Sequence, residues 1–95
     1  MASYRLSKQA NHDLSRIVIH SIKEWGAKQA SRYVSSLHAL FELLVARPGV
    51  GREVKSRPGV RRIEHVSHIV LYREVGQTIV VIRLLHKHQL LPKHK

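Results

Sequence analysis

Apolar residues in the first half of the chain recur at intervals of three and four positions, which is typical of α-helices. One series comprises Ala10, Leu14, Ile17, Val18, Ser21, Ile22 and Trp25. The next series comprises Ala30, Tyr33, Val34, Leu37, Leu40, Phe41 and Leu44. Positions with this spacing lie on one side of a helix, so each series predicts an amphipathic helix. Gly26 can end the first helix and Pro48 stops the second, which predicts an antiparallel helical hairpin at about residues 8–47.

Short runs of Val, Ile and Leu dominate the second half of the chain. They predict strands at about 60–66, 69–75 and 78–86, with turns at Ser67–His68 and Gly76–Gln77. Glycine in the first position of the second turn is the preference of a type II′ hairpin. Near the N-terminus, Tyr4–Leu6 predicts one more short strand, followed by Ser7 as the N-cap of the first helix.

The order of these elements predicts an α+β fold. An N-terminal strand is followed by the α-helical hairpin and then by a three-stranded antiparallel meander, with the helices packed on one sheet face. Residues 48–59 contain several Pro and Gly and are predicted to form turns. Because 95 residues suffice for one core, we predict a single domain over residues 1–95, with the hairpin at about 8–47, the meander at about 60–88 and a C-terminal tail at 89–95.

The predicted core lies between the hairpin and the sheet. Its members are expected to be Leu14, Ile17, Val18, Trp25, Tyr33, Leu37, Phe41 and Leu44. Trp25 stands at the end of the first apolar series, where a tryptophan more often anchors a core than provides a binding platform.

Basic residues are concentrated in the strand half of the chain. Seventeen Lys and Arg oppose six Asp and Glu, for a net charge of +11, and residues 48–95 hold ten of the basic and three of the acidic residues. Side chains on a strand alternate between faces, so Arg and His within the strands line a sheet face. This pattern predicts an anionic partner, either a nucleic acid or the acidic surface of another protein.

Several kinds of chemistry and location do not fit the sequence. The chain has no cysteine, so disulfides and thiolate chemistry are excluded. The first residues, Met1–Arg5, lack the apolar stretch of a signal peptide, and no apolar run approaches the ~20 residues that span a bilayer. We therefore expect a soluble, cytoplasmic protein.

Four residues of the strand half form the best candidate set for cleavage of RNA. A ribonuclease needs basic groups and a proton-transfer residue that converge on one phosphate. Arg61, Tyr72, Arg83 and His86 could supply such a set. Neighbours on a strand point to opposite faces, so Tyr72 and Arg73 cannot both belong to it. Because full convergence is not expected, we assign no catalytic residue.

The histidines have simpler interpretations than metal binding. His86 and His88 would share a strand face at a spacing that can bind zinc. No cysteine or nearby carboxylate completes a ligand set, so we expect a solvated or partner-facing pair, with no metal and no cofactor. His12, His20 and His38 lie off the apolar series of the helices and are predicted to be surface residues.

Short motifs along nearly the whole chain carry a family resemblance. They are Leu6–Ser7, Ala10, Asp13–Leu14 and Ile17; then Trp25–Gly26, Gln29–Ala30, Tyr33 and Leu37; then Pro48, Gly51–Arg52, Gly59, Arg61, His68, Tyr72–Arg73 and Ile82–His86. Their order and spacing resemble the ParE toxins of the RelE/ParE superfamily. The Trp-Gly and Gln-Ala pairs favour the ParE branch over the RelE branch.

The resemblance implies a toxin of a type II toxin–antitoxin module that inhibits DNA gyrase by protein–protein binding, without catalysis or a cofactor. It also implies a ParD-like antitoxin with a ribbon-helix-helix part and an acidic C-terminal segment, which forms a hetero-oligomer with the toxin. We expect that segment to cover the basic sheet face near Arg61, Arg73 or Arg83. The full set of candidates for contact with the antitoxin or the target is Arg61, Tyr72, Arg73, Arg83, His86, Lys87 and His88.

Two alternative functions remain open on the sequence. One is a ribosome-dependent messenger RNA endonuclease of the RelE type. The other is a basic nucleic-acid-binding module, although direct binding to nucleic acid is not expected.

Overall fold

The computed structural model describes residues 2–87, so His88 and the predicted tail at 89–95 lie outside the described residues. The elements are β1 (Ser3–Leu6), α1 (Lys8–Trp25), α2 (Ala27–Ala46), β2 (Arg52–Glu53), β3 (Val60–His65), β4 (His68–Val75) and β5 (Thr78–His86). This is the predicted α+β fold, in which a strand, a helical hairpin and an antiparallel meander follow one another. Neither helix of the described part is both long and apolar enough to cross a membrane.

The helical hairpin depends on specific residues at its start and at its bend. Ser7 caps α1, because its Oγ accepts a hydrogen bond from the Ala10 N–H at 3.0 Å. The same hydroxyl donates to the Ile82 carbonyl at 2.7 Å, which ties the helix start to β5. Gly26, the single residue between the helices, has φ +89°, a conformation that favours glycine.

The five strands of the described part of the chain form one sheet in the order β1-β5-β4-β3-β2. β3, β4 and β5 are the predicted meander, and β1 joins its edge parallel to β5. The two-residue strand β2 pairs antiparallel with β3, so the prediction that Gly51–Arg52 forms only a turn was wrong. Two residues are too few to show a strand period, and neighbouring Pro and Gly favour a turn reading.

The two hairpin turns differ in how well the sequence predicted them. Gly76 and Gln77 form the second turn as expected, with Gly76 at φ +61°. The first turn consists of Val66 and Ser67, one position earlier than predicted, and His68 already belongs to β4. Val66 has φ +54°, which is unusual for a β-branched residue, so composition gave no sign of it.

The main core lies between the helices and one sheet face. Ile17, Leu37, Phe41 and Leu44 are buried there as predicted, and Leu14 and Tyr33 pack against them while partly buried. Val18 is half-buried. Trp25 is exposed, so its predicted place in the core was wrong. It is the last residue of α1, where the chain turns away and the helical spacing no longer fixes which side is covered.

The pairing of β4 and β5 contains a bulge directly before Arg83. Leu71 lies opposite Arg83, but the next residue, Tyr72, lies opposite Val81, so Ile82 is an extra residue on β5. Such a bulge bends the strand and re-aims its side chains. On the sheet face away from the helices, a smaller apolar cluster contains Val60, Ile69 and Leu71, with Val54, Ile82 and Leu85 packed against it.

Candidate functional site

Tyr72 and Arg61 hold the connection between α2 and β2 against the sheet. The Tyr72 hydroxyl accepts a hydrogen bond from the Gly51 N–H at 2.8 Å and donates one to the Pro48 carbonyl at 2.9 Å. Arg61 donates to the Gly51 carbonyl at 2.8 Å, and its Nη2 lies 3.8 Å from Glu53. Burial raises the pKa of Tyr72, against the opposing effect of the Gly51 hydrogen bond. The phenol is therefore a protonated structural group.

Gly51 is required by this close approach. A Cβ at position 51 would lie 2.6 Å from the Tyr72 hydroxyl oxygen and 2.8 Å from the Arg62 carbonyl oxygen. Any larger residue would push the segment away from the sheet. The sequence predicted a turn at this glycine, but the physical reason for the residue is the contact with Tyr72.

Arg83 forms a two-pronged ion pair that joins β5 to α1. Its Nε lies 2.8 Å from Asp13 Oδ2, and its Nη2 lies 3.1 Å from Oδ1. The Leu84 N–H donates to the same Oδ2 at 2.9 Å. The hydrogen bond with Asp13 raises the pKa of Arg83. The bulge before Arg83 directs its side chain to this partner, 70 positions away in the sequence.

Histidines gather where β3, β4 and β5 meet α2. His68 Nδ1 lies 2.6 Å from the Tyr33 hydroxyl, and the rings of His68 and His86 lie 5.4 Å apart in an edge-on arrangement. His65 Nε2 lies 2.8 Å from the Ser36 hydroxyl. Burial, reinforced by the neighbouring histidines, lowers the pKa of His68 to about 4. Burial also lowers the pKa of His65. His65 and His68 are thus held neutral at pH 7.

A cleft of about 310 Å³ opens beside these histidines, between α1, Tyr33 of α2 and the ends of β4 and β5. Its lining combines imidazole, indole, phenol and guanidinium groups with the apolar side chains of Ile17 and Leu84. The lining residues are Asp13, Arg16, Ile17, His20, Ser21, Trp25, Tyr33, Ser67, His68, Arg83, Leu84 and His86. A surface with this chemistry suits an apolar group that carries a negative charge.

The four residues that a nuclease would have to combine are divided between two places. Arg83 and His86 line the cleft. Arg61 and Tyr72 line a separate recess of about 240 Å³ near Pro48. In the cleft, Arg83 is paired with Asp13. In the recess, Arg61 donates to the Gly51 carbonyl and lies near Glu53.

The remaining candidates lie elsewhere on the sheet. Arg73 is exposed and lies opposite Val60 and Val80, on the face away from the helices. Lys87 Nζ lies 3.3 Å from Glu64, and the Lys87 N–H donates to the Ser67 carbonyl at 2.9 Å. His88 lies outside the described residues. Within residues 2–87, no three His, Asp or Glu side chains are arranged to hold a metal ion.

Two histidines of the helices have surroundings that the sequence did not reveal. His20 was predicted to be a plain surface residue, and although exposed, it lines the cleft and its ring is 6.5 Å from that of Trp25. His38 was also predicted at the surface but is half-buried, with Nδ1 2.8 Å from the Tyr4 hydroxyl. The one sign of the cleft in the sequence was Asp13, which is the only acidic residue before Glu24 in a basic chain.

Comparisons with known proteins identify relatives over most of the chain. The family model described as "ParE toxin of type II toxin-antitoxin system, parDE" matches residues 4–91. A protein named Toxin ParE1 from Caulobacter vibrioides is 41% identical over 88 residues, covering 92% of this chain and 91% of that one. Toxin ParE1 from Mycobacterium tuberculosis is 36% identical over 86 residues, covering 88% of each chain.

A solved structure has the same fold. A chain of the structure titled "Chromosomal ParDE TA system from P. aeruginosa" matches with a TM-score of 0.76 and 28% sequence identity, covering 90% of this chain and 96% of that one. The agreement in sequence and in fold, over nearly the same residues, places this chain in the ParE toxin family of type II toxin–antitoxin systems.

Proposed function

We propose that this toxin acts in the cytoplasm by binding DNA gyrase and inhibiting it, without catalysing a reaction of its own. Membership of the ParE family is the main support for the choice of target. The observation that favours binding over RNA cleavage is the division of Arg61 and Tyr72 from Arg83 and His86. A cleavage site needs its groups within hydrogen-bond reach of one phosphate.

The hydrogen bonds of the strongest candidates support the same reading. Tyr72 uses its hydroxyl on Gly51 and Pro48, and Arg83 places its guanidinium on Asp13. A transition-state charge would compete with these partners. Groups that hold a loop and a helix in place are better suited to shape a rigid binding surface than to transfer protons.

The proposed antagonist is a ParD-like antitoxin with a ribbon-helix-helix part and an acidic C-terminal segment, assembled with the toxin as a hetero-oligomer. The matching P. aeruginosa structure is of a ParDE system, which supports a partner of this kind. The net charge of +11 favours an acidic partner. Of the three arginines expected near that segment, Arg73 is exposed, whereas Arg61 and Arg83 carry internal contacts.

Expression of the toxin alone in a bacterial host tests the function. Inhibition of gyrase is expected to cause DNA breaks and a DNA-damage response while translation continues. Co-expression with the protein encoded by the adjacent reading frame is expected to restore growth. Ribosome-dependent cuts in messenger RNA, abolished by His86→Ala, would instead make the chain an endonuclease of the RelE type.

A further inference from the structure

The sheet face away from the helices, called the outer face below, carries four arginines. Arg73 lies opposite Val60, a member of the apolar cluster on that face, and Arg5 shares the same row of the sheet through β5. Arg62, two positions after Val60, points to the same side, and Arg52 lies opposite Arg62. Because partners in register and alternate residues of a strand share a face, these four side chains form one surface, the arginine band.

The carboxylates of the strands lie mainly on the other face. Glu53 follows Arg52 on β2, and Glu74 follows Arg73 on β4. Neighbours on a strand point to opposite faces, so both carboxylates are directed to the side of the helices. Within residues 2–87, Glu64 is the one strand carboxylate that shares the outer face with the arginine band. Alternation thus separates the charges of the sheet and leaves the outer face strongly positive.

Most of the band has no internal partner. Arg62 Nη2 lies 3.9 Å from Glu64, which neutralises part of its charge. Arg5, Arg52 and Arg73 are exposed and form no ion pair within residues 2–87. Unlike Arg83, which is paired with a buried carboxylate, these three guanidinium groups are available to an anion from outside.

The outer face suits phosphate better than an acidic protein. Its apolar residues Val60, Ile69 and Leu71 are only 5%, 3% and 8% exposed, so a protein segment would gain little apolar area there. Guanidinium groups form two parallel hydrogen bonds with phosphate oxygens. Binding to a phosphate backbone depends mainly on such contacts and on the release of counterions, and needs little apolar area. The chemistry of the band therefore favours a nucleic acid.

The positions of the aromatic residues favour a duplex over a single strand. Proteins that bind single strands stack the bases on aromatic side chains. The five Phe, Trp and Tyr residues of the chain lie elsewhere: Tyr4, Tyr33, Phe41 and Tyr72 belong to the main core or pack against it, and Trp25 is on α1. The outer face therefore has no platform for unpaired bases.

The width of the outer face determines how it meets a duplex. Five strands about 4.8 Å apart span roughly 19 Å from β1 to β2. The major groove of DNA is about 12 Å wide and admits a helix or a two-stranded ribbon. A five-stranded face therefore lies across the phosphates and does not enter the groove. Contacts with phosphates carry no sequence information directly.

We propose that the arginine band of the outer face binds the phosphate backbone of double-stranded DNA without reading its sequence. The choice of DNA over an RNA duplex rests on the proposed function, because DNA is the substrate of gyrase. The toxin then contacts the DNA as well as the enzyme that acts on it. Direct binding to nucleic acid was not expected from the sequence alone, because the pairing that sorts the charges between the two faces was not known.

Binding of the full chain to a fluorescently labelled duplex of about 20 base pairs, followed by anisotropy at several salt concentrations, tests this proposal. Each phosphate contact contributes about −0.9 to the slope of log K against log salt. The triple variant Arg5→Gln, Arg52→Gln and Arg73→Gln should therefore bind at least about tenfold more weakly at physiological salt, with a slope smaller by about 3. Two duplexes of unrelated sequence should bind equally well.

A second triple variant controls for net charge. Lys23→Gln, Lys28→Gln and Arg32→Gln remove the same charge from exposed positions on the helices, on the other side of the sheet. This variant is expected to change the slope by less than about 1, since these side chains do not reach DNA that lies on the outer face. Circular dichroism and the melting temperature check that both variants are folded.

Several outcomes would overturn the proposal. Equal losses in the two triple variants would show that only the net charge matters. Tighter binding to a single strand, or to an RNA duplex of the same sequence, would contradict the assignment to double-stranded DNA. If the band variant kept its affinity for DNA but lost its affinity for the protein encoded by the adjacent reading frame, the outer face would belong to an acidic protein.

A supercoiling assay with purified gyrase distinguishes this proposal from the proposed function. Inhibition of gyrase by a toxin that does not bind DNA would reject the role of the arginine band and leave the proposed function intact. Binding to DNA through the band without inhibition of gyrase would reject the proposed function, while the contact with DNA would stand.

Discussion

At the scale of single residues, the Tyr72 hydroxyl illustrates how a candidate site residue can have a structural role. It satisfies the Gly51 N–H and the Pro48 carbonyl, both in the connection that precedes β2. Tyr72→Phe leaves these groups unpaired, so the free energy of unfolding should fall by about 1–3 kcal/mol in urea denaturation. The folded variant should keep its toxicity. Tyr4→Phe, which removes one contact with His38, is the control and should cost less.

Phe41 and Trp25 provide a contrast in burial between two aromatic residues. Phe41 is fully buried, so Phe41→Ala should lower the free energy of unfolding by about 3–5 kcal/mol. Trp25 is exposed, so Trp25→Ala should cost about 1 kcal/mol or less, as is usual for surface substitutions. Equal losses in the two variants, measured by urea denaturation, would contradict the packing described for the end of α1.

His68 should make the stability depend on pH. The pKa of His68 is lowered to about 4 from its ordinary value of 6.5, mainly by burial. Between these pH values the unfolded chain binds more protons than the folded one, so stability is greatest above pH 6.5 and falls as the pH drops toward 4. The melting temperature should therefore decrease on acidification from pH 7 to pH 5.

A substitution assigns this pH dependence. His68→Gln should flatten the curve, because Gln cannot take up the proton. His12→Gln, at an exposed position on α1, is the matched substitution against which that change is compared. His65 contributes in the same direction, since burial also lowers the pKa of His65. A curve that keeps its full slope in the His68→Gln variant would place the responsible group elsewhere.

At the scale of elements, the ion pair between Asp13 and Arg83 connects α1 to β5. Asp13→Ala removes three hydrogen bonds, including one to the Leu84 N–H, and leaves a guanidinium without its carboxylate. Because hydrogen bonds to charged groups are worth about 1.5–3 kcal/mol, a loss of at least that size is expected in urea denaturation. In a double-mutant cycle, adding Arg83→Met should cost less in the Asp13→Ala background than in the original chain.

The helices and the meander could be predicted because their residues repeat a spacing many times. Trp25 was misplaced because it lies at a helix end, where a single position carries no further repeat to test it. The strand β2 is two residues long and has no period at all. The cleft could not be predicted for another reason: Asp13 and Arg83 are brought together by a bulge and by tertiary packing, which leave no local pattern.

At the scale of the whole molecule, the net charge of +11 should govern how fast an acidic partner associates. Long-range attraction mainly raises the association rate, whereas apolar contacts persist in salt. Raising the salt concentration should therefore slow association in stopped-flow experiments well before it speeds dissociation. An association rate that does not change between low and high salt would argue against an acidic contact surface on the partner.

The place of β5 in the sheet has a consequence for how the chain folds. β5 is the last strand within residues 2–87, yet it lies between β1 and β4 and pairs with both. Until it is synthesised, β1 has no neighbour and the apolar side of the helical hairpin has only part of its cover. Pairings between such distant segments form slowly compared with local helices. Folding of the toxin is thus completed by one late, long-range event.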